Sequence, residues 1–374
     1  MNTDEFVRSL TGVGISFYTG VPDSLLKDFY QTMTSMIGEE CHVTAPNEGT
    51  AVAIAIGRHL ATGDLPLVYM QNSGLGNAFN PLASLAHRDI YRIPLLLMIG
   101  WRGEPGTTDE PQHMVQGGIT RETLDLLSIP YLVIREDSEI SEIEDFIKNI
   151  NTGHSGPHAL LVSSGTFEKS SSIAVLDNGK TLSRLDATTC IVDNLPENAV
   201  VVATTGKLAR ELNEIREERG HDGRDFLVVG GMGHASGVAL GISLAMPNRE
   251  VVCLDGDGAA QMHLGLLGLV GATQPKNFLH VIFNNGTHES VGGQPVASPS
   301  LNYRELASSC GYRHSQKVVN IKELSRALRD NSYSDGPNLI EVDINSLSRN
   351  DLSRPKNSPL ENKIKFQNYL QRGQ

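Results

Sequence analysis

The feature with the most chemistry in it is a pair of polar clusters, each closing an apolar run. Leu254-Asp255-Gly256-Asp257-Gly258-Ala259 follows Val251–Leu254, and Asn284-Asn285-Gly286-Thr287 follows Ile282-Phe283, so that GDG ends at Gly258 and NN begins at Asn284. If the two runs are neighbouring strands, Asp257 and Asn285 meet at one crevice. A carboxylate, an amide oxygen and a main-chain carbonyl are hard donors, the set that suits magnesium holding a phosphate. Gly256 and Gly258 permit a tight turn and let a phosphate approach the backbone. A helix expected over Ala260–Val270 would aim its N-terminus at that anion. GDG alone is ordinary turn chemistry; GDG and NNG together, at this spacing, point to a site.

Such a crevice needs parallel strands, and apolar runs alternate with amphipathic stretches along the whole chain. Strands are expected near Ile15–Thr19, His42–Ala45, Leu65–Gln71, Ile93–Gly100, Pro130–Ile134 and His158–Ser163, with helices over Ser24–Met33, Glu48–Ala61 and Ser141–Asn149. The second half repeats the scheme. Its strands fall near Ala199–Thr204, Phe226–Gly230, Glu250–Asp255, Phe278–Phe283, Lys317–Val319 and Asn338–Ile344, its helices over Lys207–Arg216, Gly233–Ala245 and Ile321–Arg329. This alternation implies an α/β fold of two doubly wound, mainly parallel-sheet domains joined by a short linker. Ligands then bind outside the carboxyl ends of the strands. The patternless stretch over residues 166–184 reads as a linker between domains at 1–165 and 185–345, and the polar tail, 346–374, is expected on the surface.

The chain has 374 residues, with 43 acids against 31 bases and a net charge of −12. That balance argues against general binding of nucleic acid or anionic membrane. An anionic ligand must be held locally, by a metal, helix N-termini or a few arginines. Cys41, Cys190, Cys253 and Cys310 are far apart with no CxxC pair, so neither a disulfide framework nor a structural zinc site is expected. The N-terminus lacks a signal-peptide pattern and no apolar run approaches the ~18 residues of a membrane span, so a cytoplasmic protein is expected.

GDG at 256–258 followed by NN at 284–285 resembles the thiamine-diphosphate signature. The resemblance implies that Asp257, Asn285 and the main chain of Thr287 hold magnesium against the cofactor's diphosphate, with Thr205, Gly256, Gly258 and Ala259 beside it. It also implies a partner domain whose glutamate reaches the aminopyrimidine ring. Asn47-Glu48-Gly49-Thr50-Ala51 matches that pattern, and Glu48 would promote removal of the proton that activates the cofactor. Gly230-Gly231-Met232-Gly233 follows a strand, and Met232 precedes Asp257 by an interval close to that between GDG and NN. By resemblance Gly231 and Met232 contact the cofactor, the methionine propping it in its bent form. GGMG is not GxGxxG and lacks the acid that reads a ribose, which removes a dinucleotide oxidoreductase.

Without a middle domain the chain resembles the phosphonopyruvate decarboxylases and, behind them, the sulfopyruvate decarboxylases. The segments that carry the likeness are Gly20-Val21-Pro22-Asp23-Ser24, Asn72-Ser73-Gly74-Leu75-Gly76-Asn77, Gly100-Trp101-Arg102-Gly103-Glu104-Pro105-Gly106, Asp109-Glu110-Pro111-Gln112-His113 and His288-Glu289-Ser290-Val291-Gly292-Gly293-Gln294. The likeness runs from about residue 5 to 345 and implies decarboxylation of 3-phosphonopyruvate to phosphonoacetaldehyde, in phosphonate biosynthesis. Pro22 would lie at the cofactor, Asp23 would be a catalytic residue near the thiazolium, and Ser24 would lie beside it at the substrate. Arg102 would clamp the phosphonate, because guanidinium suits bidentate anion binding, with Gln112 and His113 nearby. His113 and His288 are candidates for proton delivery or phosphonate contact, since an imidazole can carry a proton near neutral pH. Asn72 would touch the cofactor; Gln71 and Asn72 stand where some relatives place a catalytic histidine. Thr108 occupies a position that is often basic in the subgroup. The stretch Trp101–Gly118 reads as a long loop able to cover the substrate. Arg8, Lys207, Arg210 and Arg216 are expected on the surface, and His59, His221 and His263 receive no role. The superfamily also implies a homo-oligomer with active sites at subunit interfaces. The alternatives are a decarboxylase of sulfopyruvate or another 2-oxo acid, and a non-catalytic cofactor sensor, which would have no need of Glu48.

Overall fold

A computed structural model describes residues 1–151, 156–169, 178–330, 335–347, 349 and 351–372. Part of the expected linker, 170–177, and tail residues 348, 350, 373 and 374 lie outside the described residues. The chain divides into two compact units, Met1–Ala174 and Val175–Gln374.

The first unit contains β1 (Ile15–Gly20), β2 (His42–Thr44), β3 (Leu65–Gln71), β4 (Leu95–Gly100), β5 (Tyr131–Ile134) and β6 (Pro157–Val162). The second contains β7 (Val200–Ala203), β8 (Asp225–Leu227), β9 (Val251–Gly256), β10 (Phe278–Asn284), β11 (Thr287–His288), β12 (Gln294–Pro295), β13 (His314–Val318) and β14 (Asn338–Asp343). The main sheets run β2-β1-β3-β4-β6-β5 and β8-β7-β9-β10-β14-β13, one topology used twice. Among the described residues all pairs in them are parallel, and only the short β11–β12 ladder, absent from the sequence reading, is antiparallel. The strand order reverses between β1 and β3 and between β7 and β9, which places the ligand crevices at those carboxyl ends.

The central strands are continuous apolar runs because both sheet faces are covered. In β3, Leu67 and Tyr69 join Phe6, Phe29 and Ile143 on one face, while Val68 and Met70 join Ala51, Leu75 and Leu124 on the other. In β9, Val252 and Leu254 pack with Ile191, Leu212 and Leu324, and Val251 and Cys253 with Ala239, Leu267 and Ala307. Each fully buried Leu or Val contributes roughly 2 kcal/mol.

Four expectations need correction. The helix expected over Ala260–Val270 is two, Asp257–Met262 and Gly265–Thr273; His263, at φ −136° and ψ 55°, leaves the helical region and breaks the run. The loop expected over Trp101–Gly118 ends early, because Pro111, at the first helical turn, opens a helix over Pro111–Leu126. Its polar residues and paired Gly117 and Gly118 hid the helical period. The polar tail carries a helix over Pro359–Gln371, started by a Ser358–Glu361 capping box. Asn362 of that helix accepts from Leu227 N–H and donates to the Asp225 carbonyl, covering the open edge of β8. Lastly, Arg216 is buried in a two-pronged pair with Asp225, and Lys207 pairs with Glu289 at 3.2 Å; Arg8 is exposed and Arg210 half-buried. Helical charge spacing does not distinguish a solvated face from one tucked under a strand edge.

The helix Gly265–Thr273 crosses the helix Tyr303–Cys310 without room for a methyl. A Cβ at Gly271 would sit 1.8 Å from the Cys310 carbonyl oxygen. Gly271→Ala is expected to destabilise the second unit by about 3 kcal/mol, the upper range for overpacking, seen as a lower urea midpoint with unchanged slope.

Candidate active site

The strand-end clusters do meet. β9 and β10 are paired with Phe283 opposite Gly256, so the turns that follow leave the sheet side by side. Asp257 is buried, and its two oxygens accept from Gly258 N–H at 2.8 Å and Gly286 N–H at 2.7 Å. Asn285 Oδ1 accepts from Thr287 N–H at 2.9 Å. The Asp257 carboxyl, the Asn285 amide and the Thr287 main chain thus gather around one turn. Burial pushes the Asp257 carboxyl up to about 6, against the pull of the two N–H donors. A carboxylate held this way favours a cation beside it.

The turn is backed by residues that the sequence reading did not assign. Lys180 Nζ donates to the Asn284 carbonyl at 2.8 Å and lies 3.2 Å from Asp343. Asn178 donates to the carbonyls of Asn285 and Ile344. The last residues of the expected linker therefore close on the site; their polarity serves strand-end carbonyls, which no periodicity reveals. Glu289 is held by Arg184 at 2.5 Å and Lys207 at 3.2 Å, and Arg184 by buried Glu211 at 2.8 Å. This network anchors the β11–β12 hairpin that carries Thr287 and His288.

His288 stands over the GDG turn, so close that a Cβ on Gly258 would lie 2.7 Å from its ring. Burial lowers its imidazole to about 4, so at neutral pH it is uncharged. Gly231 and Gly233 both have left-handed φ, 57° and 88°, which turns the chain sharply around the half-buried Met232. A Cβ on Gly233 would lie 3.0 Å from the Ala259 carbonyl, so the Met232 turn sits against the helix that begins at Asp257. Thr205 follows β7 at the reversal of strand order.

In the first unit Glu48 opens the helix Glu48–Thr62, capped by Asn47, whose side chain accepts from Thr50 N–H. Its carboxyl is buried and raised above the usual range by desolvation, although Asn77 donates to it at 2.7 Å. Gly74 leaves the space it needs; a Cβ there would lie 2.5 Å from Oε1. Pro22 and Asp23 follow β1 and are buried. Asp23 is also raised by burial while accepting from Gln71 at 2.7 Å and Leu25 N–H at 2.9 Å.

Asp109 organises the remaining candidates. Its carboxylate takes Arg102 Nε at 2.7 Å and Nη2 at 2.5 Å, and lies 2.9 Å from His113 Nδ1. The guanidinium holds the Asp109 carboxyl well below the usual range. Arg102 Nη1 donates to the Ser24 hydroxyl at 2.8 Å. A guanidinium bound side-on through Nε and one terminal nitrogen keeps its opposite edge, between the two terminal nitrogens, directed elsewhere. The Asn72 amide accepts from Arg102 N–H and donates to the Arg102 carbonyl and the Thr120 hydroxyl, tying the loop's start to the helix that follows it. Gln112 is half-buried on the first turn of the helix after the loop. The family resemblance pointed to Arg102 and His113; only the fold shows the carboxylate that joins them.

Two family models match the same two regions: the thiamine pyrophosphate enzyme N-terminal binding domain over residues 2–125 and its C-terminal binding domain over 205–342. The chain is 35% identical to a phosphonopyruvate decarboxylase of Streptomyces viridochromogenes, covering 98% of this chain and 94% of that one. This chain belongs to the phosphonopyruvate decarboxylase family of thiamine pyrophosphate enzymes. A second phosphonopyruvate decarboxylase, of Streptomyces hygroscopicus, is 34% identical over 99% of this chain and 94% of its own. A sulfopyruvate decarboxylase of Methanosarcina acetivorans is 26% identical over 87% of each. The chain is thus a thiamine-diphosphate-dependent carboxy-lyase. The residues fit that cofactor: an all-oxygen set around Asp257 for a hard cation, and a buried acid at Glu48 for a ring nitrogen. Thr287 Oγ1 and Gln294 Nε2, both on the adjacent hairpin, are buried without a hydrogen-bond partner among the described residues, donors that a bound anion would satisfy. No described helix is long and apolar enough to cross a membrane.

Proposed function

We propose that this decarboxylase acts on 3-phosphonopyruvate, with magnesium as the metal, releasing carbon dioxide and phosphonoacetaldehyde in phosphonate biosynthesis. The observation that carries the substrate is the fixed guanidinium of Arg102, set between Asp109 and Ser24, in a chain similar from end to end to two phosphonopyruvate decarboxylases. In the reaction the carboxylate leaves as carbon dioxide, its bonding electron pair stays behind, and a proton ends on that carbon. Bound thiamine diphosphate supplies the sink for the electron pair.

The chain's own residues do the rest. Asp257, Asn285 and the Thr287 carbonyl would hold the metal against the diphosphate; Thr205, Gly231, Gly256, Gly258, Ala259 and His288 would line that site, and Met232 would support the cofactor. Glu48 would bond the cofactor's ring nitrogen and hold the proton exchanged there, a task suited to an acid raised by burial. Pro22 and Asp23 border the reacting centre. Arg102, Ser24 and Gln112 take the phosphonate, and His113, anchored by Asp109 through Nδ1, keeps its other nitrogen for the substrate. We assign proton delivery to His113 rather than to the uncharged His288.

Carbon dioxide release from 3-phosphonopyruvate, sulfopyruvate and pyruvate, each with and without cofactor and magnesium, tests the reading. Preference for sulfopyruvate keeps the mechanism and replaces the substrate; no release from the phosphonate sinks the proposal. Arg102→Ala is expected to lower kcat/KM on phosphonopyruvate by roughly 100-fold, the loss of one charge-assisted anion contact, with little effect on pyruvate. An equal loss on both substrates removes the clamp.

The domains take the roles of pyrimidine binding (1–165) and diphosphate binding (185–345), and a second copy of the chain completes each site, Glu48 of one serving Asp257 of the other. Specific activity is then expected to fall on dilution in step with the loss of the oligomer by sedimentation. A fully active monomer excludes this arrangement.

A further inference from the structure

Behind the Asp257 turn, three metal-ligating side chains share one face of the second sheet. Cys253 and Asp255 are two positions apart on β9 and so project to the same side. The register sets His280 of β10 opposite Cys253. All three are buried, and their donor atoms lie within 4.8 Å of one another. His280 Nε2 and Asp255 Oδ2 face each other at 3.6 Å. Neither has a hydrogen-bond partner among the described residues.

That separation is longer than an N–H···O bond, which spans about 2.7–3.2 Å. It is near the edge of a donor tetrahedron around an ion with bonds of about 2.0–2.1 Å, an edge of roughly 3.3 Å. The other atoms of both groups are engaged: Asp255 Oδ1 accepts from Gly256 N–H at 3.0 Å, and His280 Nδ1 lies 3.3 Å from the Tyr312 hydroxyl. A metal-bound histidine ordinarily gives its second ring nitrogen to such a partner. The surroundings are apolar and aromatic, with the Phe278 and Tyr312 rings beside His280, so a buried carboxylate oxygen there calls for a cation.

We propose that Cys253, Asp255 and His280 bind one divalent transition metal of the zinc class, at a site separate from the oxygen donors around Asp257. Sulfur, nitrogen and oxygen together make a softer set than magnesium takes, with the fourth position left to water. Through the Asp255–Gly256 bond the ion would brace the turn that carries Asp257. The ligands lie on two strands, and the interval from Asp255 to His280 matches no zinc signature, so the absence of CxxC did not bear on it.

Elemental analysis of the purified full-length holoenzyme, in metal-free buffer supplemented with magnesium and thiamine diphosphate, tests the site. About one zinc-class ion per chain is expected, retained while magnesium exchanges. The cobalt(II)-loaded protein should show a thiolate-to-cobalt absorption band that Cys253→Ala removes. His280→Gln and Cys253→Ala should each reduce the ion to below about a tenth per chain; the alanine variant fits the core and keeps the test valid if the glutamine variant fails to fold. A folded wild-type chain that holds no ion and takes up no cobalt overturns the proposal, and the gap then belongs to a water or a proton. Ion content unchanged in both variants overturns it equally.

Discussion

Asp257→Asn should abolish cofactor-dependent decarboxylation, lowering the rate by about 1,000-fold or more, and should raise the cofactor's dissociation constant to a similar degree. The size follows from removing one partner of a buried ionic contact, roughly 3–5 kcal/mol, at about 1.4 kcal/mol per decade. The amide also fails locally. Asp257 accepts from Gly258 N–H on one oxygen and Gly286 N–H on the other, so an NH2 group must face one of these donors. The turn would loosen where the metal ligands converge. Titration calorimetry with thiamine diphosphate and magnesium, alongside circular dichroism, separates lost binding from lost fold. Cofactor binding within tenfold of wild type would rule out the site.

Glu48→Gln should behave in the opposite way: the cofactor binds within a few-fold, while kcat drops by roughly 10²–10⁴, the usual worth of a positioned proton-transfer group. Glutamine keeps the shape and can still accept from Asn77, which now donates to Glu48 Oε2 at 2.7 Å. It cannot exchange a proton. Hydrogen–deuterium exchange at the reactive carbon of the bound cofactor reports the same step without substrate, and should slow in parallel. A variant with full exchange and full kcat would leave Glu48 a helix-start residue and nothing more. The two variants together divide the function between the units, binding in one and proton transfer in the other.

Much of this was legible beforehand, and the reasons are specific. β3 and β10 are apolar on almost every residue that a two-sided sheet buries, so their limits stood out in the sequence. GDG and NNG lie at strand ends, where tight turns need glycine. The β11–β12 hairpin and the Pro359–Gln371 helix were not legible: the first is a pair of minimal strands, and the second buries only Phe366 deeply among polar neighbours. Asp109 sat inside a recognised segment, yet nothing in its spacing showed that one carboxylate would hold both Arg102 and His113.

The repeated strand–helix order, the metal-type donor set, the candidate glutamate and the family resemblance all follow from the linear chain. These depend on local pattern, on turn chemistry and on short motifs that a linear chain displays. The tertiary structure alone decided which polar groups are paired and which are buried. It placed Lys180 and Asn178 on the strand-end carbonyls, made His288 an uncharged ring, engaged Arg102 side-on, and left Asp255 and His280 facing across a gap. Desolvation and hydrogen-bond partnership depend on neighbours distant in the chain, and those neighbours exist only once the sheets have formed.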